Sequence, residues 1–264
     1  MRMLKIHLLE AKYEFFKVMR VPAFVVPTVL FPLIFYVFFG VALGHQRVPG
    51  SVLLGQYLIA TYGTFGVMGA SLFGFGVYVA VERGQGWLQV KRTTPMPISA
   101  YFFAKMAMAM LFSLIIILGL IILGTVAGTG SIPIIAALKL IGVLIPGAIV
   151  FSAAGLAVGY FAGPNSASGI VNLIYIPMSF LSGLWIPIWV LPKAIQKIAL
   201  FLPGFHLSQI ALGVIGAGRA GRCCLTSSSS SSPPQSSSPS PTPATAATKG
   251  RCTVKLSSWL DLSS

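Results

Sequence analysis

Acidic residues are nearly absent from this sequence: Glu10, Glu14, Glu82 and Asp261 are the four in 264 residues, against 18 lysines and arginines. None of the four falls inside a long apolar run, which excludes a carboxylate proton relay or a carboxylate cation site within a membrane. Histidine is equally scarce, and His45 and His206 sit at boundaries between runs, so the acid-base groups needed for intramembrane hydrolysis are missing. The three cysteines, Cys223, Cys224 and Cys252, all lie in the C-terminal tail without metal-ligand spacing. No G-x-x-x-x-G-K-S/T loop occurs, and Gly216-Ala-Gly-Arg-Ala-Gly221, a match to G-x-G-x-x-G, is followed by polar low-complexity sequence rather than a helix. No catalytic set, metal site or cofactor is expected, and any uphill movement has to draw its energy from a partner.

Charge as a whole is also lacking. Charged residues make up 8% of the chain and hydrophobic ones 56%, with mean hydropathy +0.88, whereas soluble domains carry about a quarter charged residues. That balance predicts an all-α polytopic membrane protein, with about five apolar runs near the length of roughly 20 residues needed to cross a bilayer. The runs are 21–44, 53–81, 106–127, 134–162 and 167–191. The net charge of +14 lies mostly beside these runs, where it sets topology and meets anionic lipid, and is poor evidence for nucleic acid. Arg2, Lys5, Lys12, Lys17 and Arg20 fall on the same side as Arg83, Lys91, Arg92 and Lys105, against Arg47, Lys139, Lys193 and Lys197 on the other. Nine against four places the N terminus and the 82–105 loop in the cytoplasm. The first apolar run is itself of spanning length and begins after some twenty residues, so no cleavable signal peptide is expected.

Residues 1–20 predict an amphipathic helix lying in the membrane interface, with Leu4, Leu8, Ala11, Phe15 and Val18 on one face and Lys5, Glu10, Lys12, Glu14, Lys17 and Arg20 elsewhere. Pro22, Pro27 and Pro32 predict a bent rather than a broken first span. The second span is dense in glycine (Gly63, Gly66, Gly69, Gly74 and Gly76), which predicts packing on other helices rather than on lipid. Residues 193–218 hold two short apolar stretches around Leu202-Pro-Gly204, which predicts an outer re-entrant segment rather than a sixth span. From 219 to 264 the composition turns to serine, proline and threonine, a low-complexity tail expected to be disordered.

The polar stretch from Val81 to Lys105 is the element around which the rest is organised, because it alone carries charge between two long uncharged runs. Its sequence, Glu82-Arg-Gly-Gln-Gly-Trp-Leu-Gln-Val-Lys-Arg-Thr-Thr-Pro-Met-Pro-Ile-Ser99, resembles the cytoplasmic signature of ABC-2-type transporter permeases: an acidic residue and glycine after the second span, then a short helix closed by a Thr-Pro-x-Pro-like turn. Phe180-Leu-Ser-Gly-Leu-Trp-Ile-Pro187, with Leu191-Pro192 and Leu202-Pro-Gly204 after it, is similar to the end of the family's fifth span and its outer re-entrant segment. The resemblance covers residues 1–218. It implies the permease subunit of an exporter in a bacterial cytoplasmic membrane, paired with a second permease and with ATP-binding subunits, and not itself an enzyme. Carried onto matching positions, it implies that Glu82, Arg83, Gly84, Trp87, Leu88, Arg92, Thr93 and Pro95 form or brace the element that the ATPase pushes. The alternative is a membrane scaffold that docks a cytoplasmic partner on the same loop. The family has six spans, and the sixth is absent here; the abrupt change at the tail favours a shifted reading frame over a natural outer tail.

Overall fold

The computed structural model describes residues 2–48, 52–93 and 97–216, all within one compact unit. Every regular element among them is a helix: α1 (Arg2–Met19), α2 (22–43), α3 (Leu54–Gly84), α4 (Trp87–Thr93), α5 (Ile98–Val126), α6 (Ile134–Phe161), α7 (Ala167–Leu181), α8 (Lys193–Ala199) and α9 (Pro203–Ile215). Three of them, α3, 99–126 of α5 and α6, are long and apolar enough to cross a membrane, and α8 with α9 adds a fourth if that pair, bent by 91°, is counted as one span. The apolar parts of α2 and α7 are shorter, Val26–Val41 and Ala167–Leu181. The chain is therefore an all-α integral membrane protein. The tail from 219 to 264 lies outside the described residues.

α3 is the axis of the bundle. In its most apolar stretch 78% of residues are buried, against 39% in α5 and 28% in α6, so its neighbours face lipid and α3 faces protein. Its glycines make that possible. A Cβ on Gly66 would stand 2.6 Å from Ile116 of α5, and on Gly76 2.8 Å from Val171 of α7. Gly155 and Gly159 of α6 return the approach, resting against backbone carbonyls of Ser71, Leu72, Phe75 and Gly76. The small-residue spacing in α6 thus serves packing within the bundle. On the outside, Val126, Val150, Phe161 and Leu173 stand exposed, as an apolar surface solvated by acyl chains requires.

α2 runs helically through its prolines. π turns at Val26–Leu30 and Tyr36–Val41 alternate with α turns at Pro22–Val25 and Phe31–Phe35. A proline removes a donor and crowds the carbonyl four residues back, and a turn widened by one residue absorbs that crowding. A third π segment, Phe73–Val77, interrupts α3 opposite the first.

α1 does not use its faces as the helical pattern predicts. Ala11, Glu14 and Val18, spaced i, i+3 and i+7, form the buried face, while Leu8 is 56% exposed. The helix lies alongside the N-terminal half of α5, with His7 edge-on to Phe103 at 5.5 Å and Phe15 against Phe112 at 5.4 Å. The 29 residues of α5 span about 43 Å, roughly nine residues more than a hydrocarbon core of about 30 Å needs. That excess keeps the first turns of α5, Lys105 included, at the level of the bilayer surface.

Candidate functional site

The two ends of the polar segment meet in a buried ion cluster. Glu82 lies in the last turn of α3 and Lys105 in the second turn of α5, with Lys105 Nζ donating to Glu82 Oε1 at 3.0 Å. Lys105 also donates to Glu14 of α1, and Lys17 of α1 donates to Glu82. Tyr101 donates its hydroxyl to Glu82 Oε2 at 2.6 Å, and the Lys105 ammonium lies over the rings of Tyr78 and Tyr101 at 5.3 and 5.4 Å. Lys105 is fully buried and Glu14 and Glu82 nearly so, whereas the Lys17 side chain is half exposed. Two carboxylates against two ammoniums leave the cluster neutral. Neutrality and the dense hydrogen bonding are the conditions under which buried charges are tolerated. Burial pulls the Lys17 pKa down, but its hydrogen bond to Glu82 and the charges of Glu14, Glu82 and Glu10 outweigh that, so it stands above the ordinary 10.5. The sequence pattern places 82–105 in water at the membrane surface; both of its end charges are instead enclosed, because α1 folds over them.

The next two residues fasten the segment on the opposite side. Arg83 donates to the carbonyl of Tyr160 and, at 2.9 Å, to that of Ala162. Those carbonyls close the C-terminal end of α6, where helix acceptors lack partners and a cation is favoured. A Cβ on Gly84 would lie 2.5 Å from Pro164 in the α6–α7 turn, so only glycine allows the approach. Glu82 therefore ties the end of α3 to α1 and α5, while Arg83 and Gly84 tie it to the end of α6 and the turn that follows.

Beyond this anchor the chain reverses at Gly86, φ 77°, and enters the two-turn helix α4. Trp87 and Val90 are 54% and 55% exposed, and Thr93 closes the helix by donating to the Val90 carbonyl at 2.8 Å. Pro95 and the side chains of Leu88 and Arg92 lie outside the described residues. Of the residues singled out from the sequence, Glu82, Arg83 and Gly84 share the anchor, and Trp87 and Thr93 belong to the exposed helix that it carries. A cleft of about 440 Å³ is lined by both groups, with Glu10, Tyr13, Glu14 and Lys17 of α1 beside Glu82 and Trp87. No group of three or more histidine, cysteine or acidic side chains able to hold a metal occurs among the described residues.

A second feature lies at membrane depth. A groove of about 640 Å³ runs between α2, α3 and α7. Its wall is an aromatic ladder in which Phe31 and Phe65 each meet Trp185, at 5.5 and 5.3 Å, and Phe65 stacks on Tyr175 at 4.8 Å. Thr28, Ser168, Asn172 and the tyrosines Tyr78 and Tyr175 bring polar groups to its lining, which includes no charged side chain. The π segments Val26–Leu30 and Phe73–Val77 both contribute lining residues.

Glu14, Lys17, Tyr101 and the enclosed role of Lys105 escape a reading of the sequence by motif. One signal was available: Glu14 shares the i, i+3, i+7 face of Ala11 and Val18, so an acid on an apolar face called for a buried cation.

The family model for the ABC-2 type transporter matches residues 9–215. The Bacillus subtilis (strain 168) protein named "Putative transport permease YvfS" is 28% identical over 206 residues, covering 78% of this chain and 83% of that protein. No solved structure matches.

Proposed function

The chain belongs to the ABC-2 type transporter family, and from that premise we propose that it is the membrane-spanning permease subunit of an ATP-driven exporter, coupled through the 82–105 segment to a separate ATP-binding subunit. The observation that carries this reading is the double anchor at the end of α3. Glu82 is held by Lys105, Lys17 and Tyr101, and Arg83 by the end of α6. A short helix leaving such an anchor transmits a push to four helices at once, where a slack loop would absorb it. Trp87 and Val90 present the exposed apolar surface on which the ATP-binding subunit docks, and the family resemblance assigns Leu88, Arg92, Thr93 and Pro95 to the same coupling segment. On this reading α1 and α4 face the cytoplasm of a bacterial cell, residues 1–20 form the interface helix and 21–218 the transmembrane domain. The uncharged groove between α2, α3 and α7 is half of the substrate path, completed by a second permease subunit. ATP hydrolysis belongs to the partner.

The test is co-purification of the cognate ATP-binding subunit with wild type and with a Trp87→Ala, Val90→Ala variant at equal membrane level. The exposed pair carries little fold stability, and an interface tryptophan contributes about 2 kcal/mol or more, near thirtyfold in affinity. Capture by wild type and its loss in the variant is expected. Equal capture by both would remove α4 as the docking element.

A further inference from the structure

The outward face of α1 is not accounted for by coupling. Opposite the face that packs on α5, Leu9, Tyr13, Phe16 and Arg20 follow one another at i, i+4, i+7 and i+11, all exposed. Lys5 and Lys12 flank them, likewise exposed. Neither acid of the helix belongs to this face: Glu10 and Glu14 both line the cleft beside Glu82. At its C-terminal end Tyr13, Phe16, Lys17 and Arg20 frame a cleft of about 380 Å³ that shares Tyr13 and Lys17 with the acid-lined one.

We infer that this cleft is a binding site for the phosphate headgroup of an anionic phospholipid in the cytoplasmic leaflet. Depth, charge and shape agree on that occupant. Arg20 stands two residues before the helical run of α2, and Phe24 in the first turn of that run packs on Tyr78 and Phe112 beside the ion cluster, so the cleft lies at the bilayer surface. The site offers Arg20, which has no ion pair among the described residues, beside Lys17, whose ammonium is shared with Glu82 and lies 3.9 Å from Glu14. The Arg20 guanidinium is a planar fork suited to two phosphate oxygens, and it is the cation of this cleft that no carboxylate engages among the described residues. Tyr13 and Phe16 are amphipathic and aromatic bodies of the kind that settle among glycerol and upper acyl carbons. The excess of Lys5, Lys12 and Arg20 favours a lipid of net negative charge over a zwitterionic one. Lys17 also belongs to the ion cluster, so headgroup binding reaches the anchor of the coupling segment through one side chain.

The experiment titrates the purified full-length chain in detergent with phosphatidylglycerol or phosphatidylcholine and follows thermal stabilisation, for wild type, Arg20→Gln and, as a control on the opposite surface, Lys139→Gln. Each surface cation is worth about fivefold toward anionic lipid. Wild type should prefer phosphatidylglycerol by about fivefold or more, Arg20→Gln should lose about fivefold of that affinity with phosphatidylcholine binding unchanged, and Lys139→Gln should match wild type. Arg20 has no ion pair among the described residues, so its replacement leaves the fold in place, and Lys12→Gln gives a second, weaker loss on the same face. Equal affinity for the two lipids, or an unchanged Arg20→Gln, would overturn the inference. So would equal stabilisation by inorganic phosphate, which would make the site one for free phosphate. Loss of the lipid effect on adding the ATP-binding subunit would likewise overturn it, and would assign the face to protein docking.

Discussion

Replacing Lys105 with methionine keeps the length and apolar stem of the side chain and deletes one positive charge from a neutral group of four. Glu14 and Glu82 are then left with Lys17 alone, whose side chain is half exposed and lies 3.9 Å from Glu14. Removing one partner from a buried ion pair costs about 3–5 kcal/mol, because the remaining charge stays dehydrated without compensation. Lys17 offsets part of this, so the lower end of the range, about 3 kcal/mol or a hundredfold in the folding equilibrium, is expected. Lys17→Met removes the same formal charge from a solvated position and should cost about 1 kcal/mol or less. Equilibrium unfolding of the purified chain in mixed micelles compares the two. The double substitution Glu14→Gln, Lys105→Met restores neutrality between Glu82 and Lys17 and should recover most of the loss, as a coupling energy in a double-mutant cycle. A cost for Lys105→Met within about 1 kcal/mol of wild type, or equal to that of Lys17→Met, would refute the claim that the cluster is a dehydrated anchor.

Arg83→Gln should destabilise by about 1–3 kcal/mol in the same unfolding assay, since the Tyr160 and Ala162 carbonyls at the end of α6 lose a charged donor. Lys17 titrates above 10.5 in the folded chain, so its stabilising contribution is complete below pH 10.5 and fades as pH rises through the folded-state value. The stability difference between wild type and Lys17→Met should therefore be flat to about pH 10 and shrink above it.

The helical architecture was open to sequence reading because apolar run length and charge scarcity reflect the solvent in which the chain folds. The glycines of α3 announced a central packed helix for the same reason, since each missing side chain marks a close neighbour. The exported reading of the polar segment rested on Glu82, Gly84 and Trp87 as motif letters, and the structure gives each a distinct physical setting: an enclosed carboxylate, a contact with Pro164 and an exposed ring. What periodicity does not reveal is which of two apolar faces turns inward. α1 carries two, and the choice falls to Ala11, Glu14 and Val18 because only that face brings a carboxylate to Lys105, 91 residues away. Arg83 was legible as charge but not as a cap on α6, since its partner Tyr160 lies 77 residues further along the chain.

If, as proposed, the anchor makes the segment a lever, docking and coupling are separable. The direct measurement is ATP hydrolysis by the assembled complex for wild type and for Glu82→Gln, Lys105→Met, which leaves Glu14 and Lys17 in balance and the Trp87 surface untouched. The variant should still capture the ATP-binding subunit but lose the permease-dependent stimulation of its hydrolysis. Undiminished stimulation at equal capture would contradict the lever.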